Sequence, residues 1–328
     1  MVTHCVLLLA LAAAHPAAAS ASKAHARTES DKYAAWTAQA AQVLGARADA
    51  NSLATAAALT VIGSGLRADP SRSELAALDL AARASELAPQ NAAIGWLRLQ
   101  LCAQVRACDI RDIATVMRWV DPDNAAAWLP TLAAAQRDRD TTEVDRVLAD
   151  MAREPHFDFY WNRIVVLMFD ALDAAHGELS GGYAAADSAR YTVVNGIASG
   201  KIIPPFGPLV EACRESAAYP ERRDLCLRLS KTMQRGDTAI AQLIGFGIEK
   251  RLLAPDSKEV RAIAERRRVL EWRVAAAARF DNPLLPWTKN ARARARLAQM
   301  RALPREEDVC IAILREHRMA VDPPEVHP

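Results

Sequence analysis

Glycine and aromatic residues are scarce in this 328-residue chain, which contains 13 glycines and only 5% aromatic residues. Runs of β-branched residues as long as a strand are almost absent; Ile164–Val166 and the stretch around Val193 and Ile202 come nearest. Apolar residues nevertheless make up 51% of the chain, and the excess is alanine and leucine. Because alanine is the best helix former and lets helices approach closely, this composition predicts an all-α fold.

The chain also lacks the common motifs of catalysis and metal binding. It contains no H-E-x-x-H, no phosphate-binding glycine loop, no G-x-S-x-G and no C-x-x-C. Gly63 and Gly65 lie at the end of a predicted helix with no strand before them, which indicates a helix stop. Asp170, Asp173 and His176 recur every three residues, but the aspartates fall opposite the apolar side of their helix, which favours a solvated polar face. The sequence therefore predicts no catalytic residue, cofactor or metal site.

Long apolar runs are limited to the ten residues CVLLLALAAA at positions 5–14. This run is too short to span a bilayer, and Pro16 and several A-x-A patterns follow it, as in a secretory signal peptide. We place the signal peptide at residues 1–26 and predict a periplasmic or secreted protein with no transmembrane segment after cleavage. Since His4 is the only basic side chain before the run, an alanine-rich first helix of a cytosolic protein is the alternative. Export and a net charge of only +2 both argue against a nucleic-acid partner.

The cysteines agree with export. Cys102 and Cys108 flank AQVRA, and Cys213 and Cys226 bracket a segment with a proline-marked turn. A pair six residues apart cannot be bridged within one straight helix, because the rise of roughly 9 Å exceeds the Cα separation of a disulfide, but a hairpin turn between them allows it. We expect both pairs to form disulfides in an oxidising compartment, with buried thiols as the alternative. Cys310 is then the odd cysteine, either buried and inert or available for intermolecular pairing.

Three prolines recur at a fixed spacing of 33 residues: Pro89, Pro122 and Pro155. An asparagine lies two residues after each of the first two prolines, and a tryptophan lies six or seven residues after each of the three. A period of 33 to 34 residues is typical of helical hairpin repeats, in which each unit buries its apolar face by stacking on its neighbours. The residues that follow the prolines in this pattern are Asn91, Asn124, Trp96, Trp128 and Trp161.

The segment ALDLAARASELAPQNAAIGW resembles the second helix of a tetratricopeptide repeat and the start of the next unit. The resemblance covers roughly residues 52–176, within an N-terminal region that we place at 27–176. The units are degenerate, because no Gly–Tyr pair marks the first helix, and Ile110 and Glu143 stand where the second helix usually has a small residue. The resemblance implies stacked antiparallel helical hairpins that form an α-solenoid with a concave groove.

In such arrays the groove is lined by residues of the first helices and binds an extended or helical peptide. The resemblance therefore implies a protein or peptide partner. Trp128 and Trp161 are interpreted as core residues. The candidates for groove positions are Trp96, Gln100, Gln136 and Asn162.

The period fails beyond Gly177, and we assign residues 177–328 to a C-terminal helical region with the disulfide-stapled hairpin and a basic helix. Within it, residues 261–305 hold twelve Lys or Arg against three acids. This segment is either a docking face for an anionic partner or a solvated face whose arginines pair with acids elsewhere in the fold. The residues assigned to this basic face are Arg266, Arg267, Arg268, Arg273, Arg292, Arg294 and Arg296.

These observations favour an exported helical-repeat scaffold that binds a protein or peptide partner. Two alternatives remain. The first is an exported all-α enzyme, for example one that acts on glycans through two carboxylates. The second is a binder of anionic envelope components through the Arg261–Arg305 face.

Overall fold

The computed structural model describes residues 16–64, 70–105, 108–180, 186–215, 220–280 and 290–324. Within these ranges it contains fifteen α-helices and no β-strand, which confirms the predicted all-α fold. The first eight are α1 (Pro16–Gly45), α2 (Ala50–Ser64), α3 (Pro70–Leu87), α4 (Ala92–Cys102), α5 (Ile110–Val120), α6 (Leu129–Arg137), α7 (Thr141–Met151) and α8 (Trp161–Ala174). The remaining seven are α9 (Asp187–Lys201), α10 (Gly207–Glu215), α11 (Pro220–Met233), α12 (Ala239–Leu252), α13 (Lys258–Ala278), α14 (Asn290–Ala302) and α15 (Glu306–Glu316).

The N-terminal helix α1 begins inside the segment that the sequence predicts to be a signal peptide. Its apolar run at residues 5–14 lies outside the described residues, whereas residues 16–26 form the first turns of α1. Among the described residues, no helix has both the length and the apolar character needed to cross a bilayer. α2 ends at Ser64, between the two glycines that were interpreted as a helix stop.

The asparagines of the repeated junctions are helix caps. The side-chain oxygen of Asn91 accepts hydrogen bonds from the backbone N–H groups of Ala93 and Ile94 at the start of α4, at 3.1 and 3.3 Å. Asn124 accepts in the same way from Ala126 at 3.0 Å, at the start of the 3-10 helix Ala125–Trp128 that leads into α6. Each cap satisfies backbone donors that have no partner within the helix, so the sequence period reflects a repeated helix start.

The second and third junctions also run side by side. The backbone N–H of Ala125 donates to the carbonyl of His156 at 2.9 Å, and the N–H of His156 donates to the carbonyl of Asp123 at 3.3 Å. This pairing forms an isolated parallel bridge between Asn124 and His156. Residues that are 31 to 33 positions apart in the sequence are therefore held next to each other.

Helix α8 lies at the centre of the packing. Successive helices from α1 to α7 contact each other, and α8 then contacts α1, α2 and α4 as well as α9 and α14. Farther along, α10 packs on α6 and α11 on α7. One cluster of buried apolar side chains consequently runs from Trp36 in α1 to Leu314 in α15. In an open repeat array each unit contacts only its neighbours, and α8 departs from that arrangement.

Both predicted disulfides are present. Cys102 and Cys108 join the end of α4 to the segment before α5, with their Cα atoms 5.4 Å apart. Cys213 in α10 is joined to Cys226 in α11, with a Cα separation of 5.6 Å. Cys310, in α15, is buried and forms no disulfide. The two disulfides are compatible with a location outside the cytoplasm.

Candidate functional site

The repeat junctions meet at a pocket of about 370 Å³, which we call the junction pocket. Its walls come from the start of α4, the end of α5, the segment that leads into α8, and the loops before α12 and α15. Its volume lies near the lower end of the usual range for ligand sites, about 300 to 1,000 Å³. The lining residues are Ala92, Val120, Asp121, His156, Asp158, Tyr160, Arg163, Asp237 and Pro304.

A tyrosine and a histidine converge on one carboxylate in this pocket. The hydroxyl of Tyr160 donates to Oδ2 of Asp121, and Nε2 of His156 lies 3.0 Å from the same oxygen. Asn124 is completely buried behind them, and its Nδ2 donates to the hydroxyl oxygen of Tyr160 at 3.0 Å. Asn124 also exchanges two hydrogen bonds with the backbone of Asp158, at 2.9 and 3.0 Å. A junction asparagine therefore positions the pocket as well as capping a helix.

Tyr160 has an unusual backbone conformation. Its φ of 58° and ψ of 30° lie in the left-handed region, where a bulky aromatic residue is rare, and its side chain is buried. Such strain costs about 1–3 kcal/mol and persists only where the surroundings fix the residue. Here the hydroxyl is held by Asp121 and Asn124, and the guanidinium carbon of Arg163 lies 5.9 Å from the centre of the ring. Strained residues of this kind concentrate at functional sites.

The strained turn is fixed from the C-terminal half of the chain by Asp237. Its two carboxylate oxygens accept the backbone N–H groups of Phe159 at 2.9 Å and Trp161 at 3.1 Å, so it caps the start of α8. The carbonyl of Asp237 in turn accepts the N–H of Glu306 at 2.7 Å. The carboxylate of Glu306 accepts the N–H of Ala239 at 2.8 Å. Two carboxyl side chains therefore connect the pocket to α12 and α15.

The carboxyl groups of the pocket titrate in different ranges. Burial pushes the pKa of Asp121 upward, but hydrogen bonds from His156 and Tyr160 outweigh it and hold that pKa below its usual value. Burial raises the pKa of Asp158, and it raises the pKa of Asp237 to about 7, with a further contribution from the nearby charge of Asp158. The hydrogen bond to Asp121 raises the pKa of His156. One wall of the pocket therefore carries an ionised carboxylate, and another carries carboxyl groups that retain a proton more readily.

The pocket combines carboxylates with one permanent cation. Asp121, Asp158 and Asp237 can accept hydrogen bonds, and the exposed side chain of Arg163 can donate them. Among the described residues, no group of three or more His, Cys, Asp or Glu side chains has the arrangement needed for a metal ion. The geometry therefore suits a ligand with polar groups that form hydrogen bonds.

The prediction that Trp96, Gln100 and Asn162 line a groove is wrong, because these three side chains lie in the core. Trp96 is fully buried, stacks on Phe159 with ring centres 5.2 Å apart, and donates from its indole nitrogen to the carbonyl of Ile202 at 3.1 Å. Gln100 is 4% exposed and Asn162 is 1% exposed. Both α8 and α9 pack on α4, which leaves these side chains no access to solvent.

The fourth groove candidate, Gln136, is half-buried, and its side-chain amide is engaged within the fold. Its Nε2 donates to the carbonyl of Pro208 at the start of α10, at 2.8 Å. Asn162 has a similar tie, since its Nδ2 donates to the carbonyl of Leu303 at 2.8 Å. These two amides connect α6 to the start of α10 and α8 to the end of α14. Trp128 and Trp161 are half-buried and pack against the core, in agreement with their interpretation as core residues.

The seven arginines assigned to the basic face do not form one free cationic face, because each of them is engaged within the fold. Arg296 is completely buried, and Arg273 is bound between Glu307 and Asp322 at 2.7 and 2.8 Å. Arg294 pairs with Asp187 in α9. The other contacts are Arg266 with Glu249, Arg267 with Glu271, Arg268 with Glu265, and Arg292 with the carbonyl of Phe280. The interpretation as a solvated face with internal ion pairs is the one that these contacts support.

A second cavity of about 770 Å³ lies among α11, α12 and α13 and includes two of these arginines, Arg266 and Arg273. Its cationic side chains are matched in number by acidic ones. The charged lining residues are Lys231, Arg235, Arg266 and Arg273, and Glu249, Glu265, Glu307 and Asp322. Because the charges balance and several pair with each other, this cavity does not supply the anion site that the basic segment suggested.

The polar triplet near the end of α8 is also engaged in the fold. Asp170 pairs with Arg301, and Asp173 pairs with the buried Arg190 at 2.7 Å. Nδ1 of His176 lies 2.7 Å from the carbonyl oxygen of Asp173. These residues form ion pairs and a turn contact, consistent with a polar face.

The pocket residues were not predicted from the sequence, although it contains a signal for some of them. Asp121 and His156 each adjoin a repeated proline, and Tyr160 precedes the third junction tryptophan. A comparison of the junctions for their ionisable residues would have grouped these three. Asp237 carries no such signal, because it lies 76 residues from its partner Trp161 in the sequence.

No protein-family model, curated protein or solved structure matches this chain.

Proposed function

We propose that this chain is an exported helical-repeat binding protein that recognises a peptide partner through the junction pocket. The observation that carries the proposal is the pocket itself, where five ionisable side chains from distant segments converge around the strained Tyr160. Perturbed titratable groups within a cavity are characteristic of functional sites. The predicted signal peptide and the disulfides support export.

The pocket replaces the concave groove as the proposed recognition site. Three of the four groove candidates are buried, so a peptide laid along the first helices would not reach them. A pocket of about 370 Å³ accommodates one anchoring side chain or one chain terminus. Anchors that fill a preformed pocket supply much of the binding energy in peptide recognition.

A plugged pocket tests this proposal. Ala92 lines the pocket at the first position of α4, and Ala92→Phe places a ring in the cavity without changing any charge. Ala254→Phe is the matched control, because Ala254 is exposed in the loop after α12 and does not line the pocket. The chain, expressed with its leader, is used to capture partners from envelope extract, with washes at low and high salt.

We expect the wild type and Ala254→Phe to retain the same partners in both washes. Ala92→Phe should lose these partners. Identical capture by all three proteins would contradict the proposed site. Failure of the wild type to capture any partner would contradict the binding function. Thermal unfolding of each protein checks that the phenylalanine has not disrupted the fold.

A second candidate function is an exported hydrolase that acts on glycans. It is favoured by the opposite pKa shifts of Asp121 and Asp158 in one pocket, since hydrolysis of a glycosidic bond requires one ionised and one protonated carboxyl group. Release of reducing ends from a panel of polysaccharides would support this function if Asp121→Asn abolished it. A wild-type protein that is inactive on the whole panel would leave binding as the better account.

A further inference from the structure

The charges of the junction pocket are arranged around one aromatic ring. The hydroxyl end of Tyr160 donates to Asp121, and Asp158 is held close by through its backbone bonds to Asn124. The guanidinium of Arg163 lies over the face of the same ring, 5.9 Å from its centre. Tyr160 therefore separates a carboxylate-lined end of the pocket from a guanidinium at its exposed side.

This arrangement has a clear chemical complement. An ammonium group has three donors and no acceptor, so it matches carboxylate oxygens, whereas a carboxylate on the ligand matches the planar fork of a guanidinium. The methylene chain between two such groups would lie against the tyrosine ring. The lining thus offers carboxyl oxygens that accept hydrogen bonds from a cationic group, and one guanidinium that donates them to an anionic group.

A metal ion is the main alternative ligand for a site lined by carboxylates, and the described residues of the pocket are not arranged to bind one. Among the described residues, no group of His, Cys, Asp and Glu side chains meets the requirements of a metal site. In addition, Oδ2 of Asp121 already accepts hydrogen bonds from Tyr160 and His156, and both oxygens of Asp237 accept backbone N–H groups. An organic cation makes hydrogen bonds that are compatible with these contacts.

We infer that the junction pocket binds a zwitterionic group, with an ammonium directed to Asp121 and Asp158 and a carboxylate directed to Arg163. This inference deepens the binding function proposed above and rests on it. The chemistry occurs in free amino acids and at a peptide that ends in lysine. For an exported peptide-binding protein, a C-terminal lysine supplies both groups on one flexible side chain and chain end.

Three probes with six-carbon chains test the contribution of each charged group of the ligand. The first is 6-aminohexanoate, the second is n-hexylammonium, and the third is hexanoate. Binding to the purified full chain is measured by isothermal titration calorimetry at low salt. We expect 6-aminohexanoate to bind at least about tenfold more tightly than either singly charged probe, because only it satisfies both ends of the pocket. Equal or tighter binding of n-hexylammonium would overturn the zwitterion assignment.

Two pocket variants test the individual ends. Asp158→Asn keeps the size of the side chain and the backbone hydrogen bonds to Asn124 but removes the charge. It should lower the affinity for 6-aminohexanoate at least about tenfold. Arg163→Gln should lower the affinity for 6-aminohexanoate, because the carboxylate of that probe loses its guanidinium partner. The same change should raise the affinity for n-hexylammonium, because it removes a charge that repels the ammonium group. Asp224→Asn is the matched control, because Asp224 is exposed on α11 and does not line the pocket. An equal effect of the control would overturn the assignment.

A final comparison separates the two sources of the ligand. A pentapeptide that ends in lysine is compared with free lysine and with the same peptide as its C-terminal amide. Preference for the free-acid peptide supports a peptide end, and preference for lysine supports a free amino acid. If no probe binds while Ala92→Phe still loses the envelope partner, the zwitterion assignment is wrong and the proposed function stands. If no probe binds and Ala92→Phe retains the partner, both are wrong.

Discussion

Asp237 provides the sharpest test of how the two halves of the chain are joined. Its carboxylate accepts the N–H groups of Phe159 and Trp161, and it is 4% exposed. Asp237→Ala leaves both donors buried without this partner at the start of α8. A buried donor without a partner costs about 1–3 kcal/mol, and loss of a helix cap costs about 0.5–2 kcal/mol. These ranges describe overlapping effects, so we expect a loss of about 2–4 kcal/mol in the free energy of unfolding.

The assay is urea unfolding of the oxidised protein, followed by circular dichroism and evaluated by linear extrapolation. Asp237→Asn retains one acceptor oxygen and should cost about half as much as Asp237→Ala. Asp224→Ala, on the exposed side of α11, should remain within about 0.5 kcal/mol of the wild type. A free energy of unfolding for Asp237→Ala that equals that of the control would refute the capping role.

The same residue predicts the direction of the pH dependence. Burial raises the pKa of Asp237 to about 7 in the folded protein, whereas an aspartate in the unfolded chain titrates near about 3.9. Between these values the folded state binds more protons than the unfolded state, so the free energy of unfolding falls as the pH rises. The contribution is fully present below about pH 4 and is lost by about pH 8.

Asp158, Glu306 and His156 act in the same direction, because their pKa values are also raised in the folded protein. We therefore expect the stability to decrease between pH 5 and pH 8, and to decrease less steeply in Asp237→Asn. Urea unfolding at several pH values measures both slopes. An identical slope in the two proteins would show that Asp237 does not carry a raised pKa in the folded state.

Three further predictions concern the packing that supports the pocket. Gly245→Ala should lower the free energy of unfolding by about 1–3 kcal/mol in urea, because a Cβ at this position would lie 2.7 Å from a carbonyl oxygen of α11. A variant as stable as the wild type would contradict this close approach. Joint replacement of Cys213 and Cys226 by serine should cost about 2–4 kcal/mol, and thiol titration should first find both cysteines oxidised in the wild type. Trp96→Phe should cost about 1–3 kcal/mol because the carbonyl of Ile202 loses its donor, and a neutral effect would argue against that buried bond.

The helix starts and the disulfides could be predicted from the sequence because both depend on local features. Asn91 and Asn124 cap helices through donors two or three residues away. Cys102 and Cys108 needed only a turn between them, and the repeat period indicated where it falls. For features of this kind, spacing and residue type contain most of the required information.

The groove positions were wrong because the tetratricopeptide resemblance was taken to imply an open array. Trp96 would face a groove if nothing packed on α4, but α8 and α9 do so, and its indole donates to Ile202 at the end of α9. The basic segment was ambiguous for the same reason. Asp187, the partner of Arg294, lies 107 residues away in the sequence, and no local charge count anticipates that pair.

The candidate site falls between these cases. Asp121, His156 and Tyr160 belong to recurrent junctions, so their proximity follows from the period once the junctions are paired. Asp237 joins them only through its hydrogen bonds to the backbone of Phe159 and Trp161, which are far from it in the sequence. The sequence contains the residues of the site, whereas their convergence depends on tertiary contacts.

Photo-crosslinking tests the central claim, that the junction pocket is where the partner binds, most directly. A benzophenone amino acid replaces Val120, which lines the pocket at the end of α5, and in a control protein it replaces Ile240, which is exposed on α12. Both proteins are irradiated in envelope extract, and crosslinked products are identified by mass spectrometry. The account predicts that a partner peptide crosslinks to position 120 and that Ala92→Phe suppresses this product. Crosslinks of the same partner at position 240 alone, or at position 120 without any effect of Ala92→Phe, would contradict it.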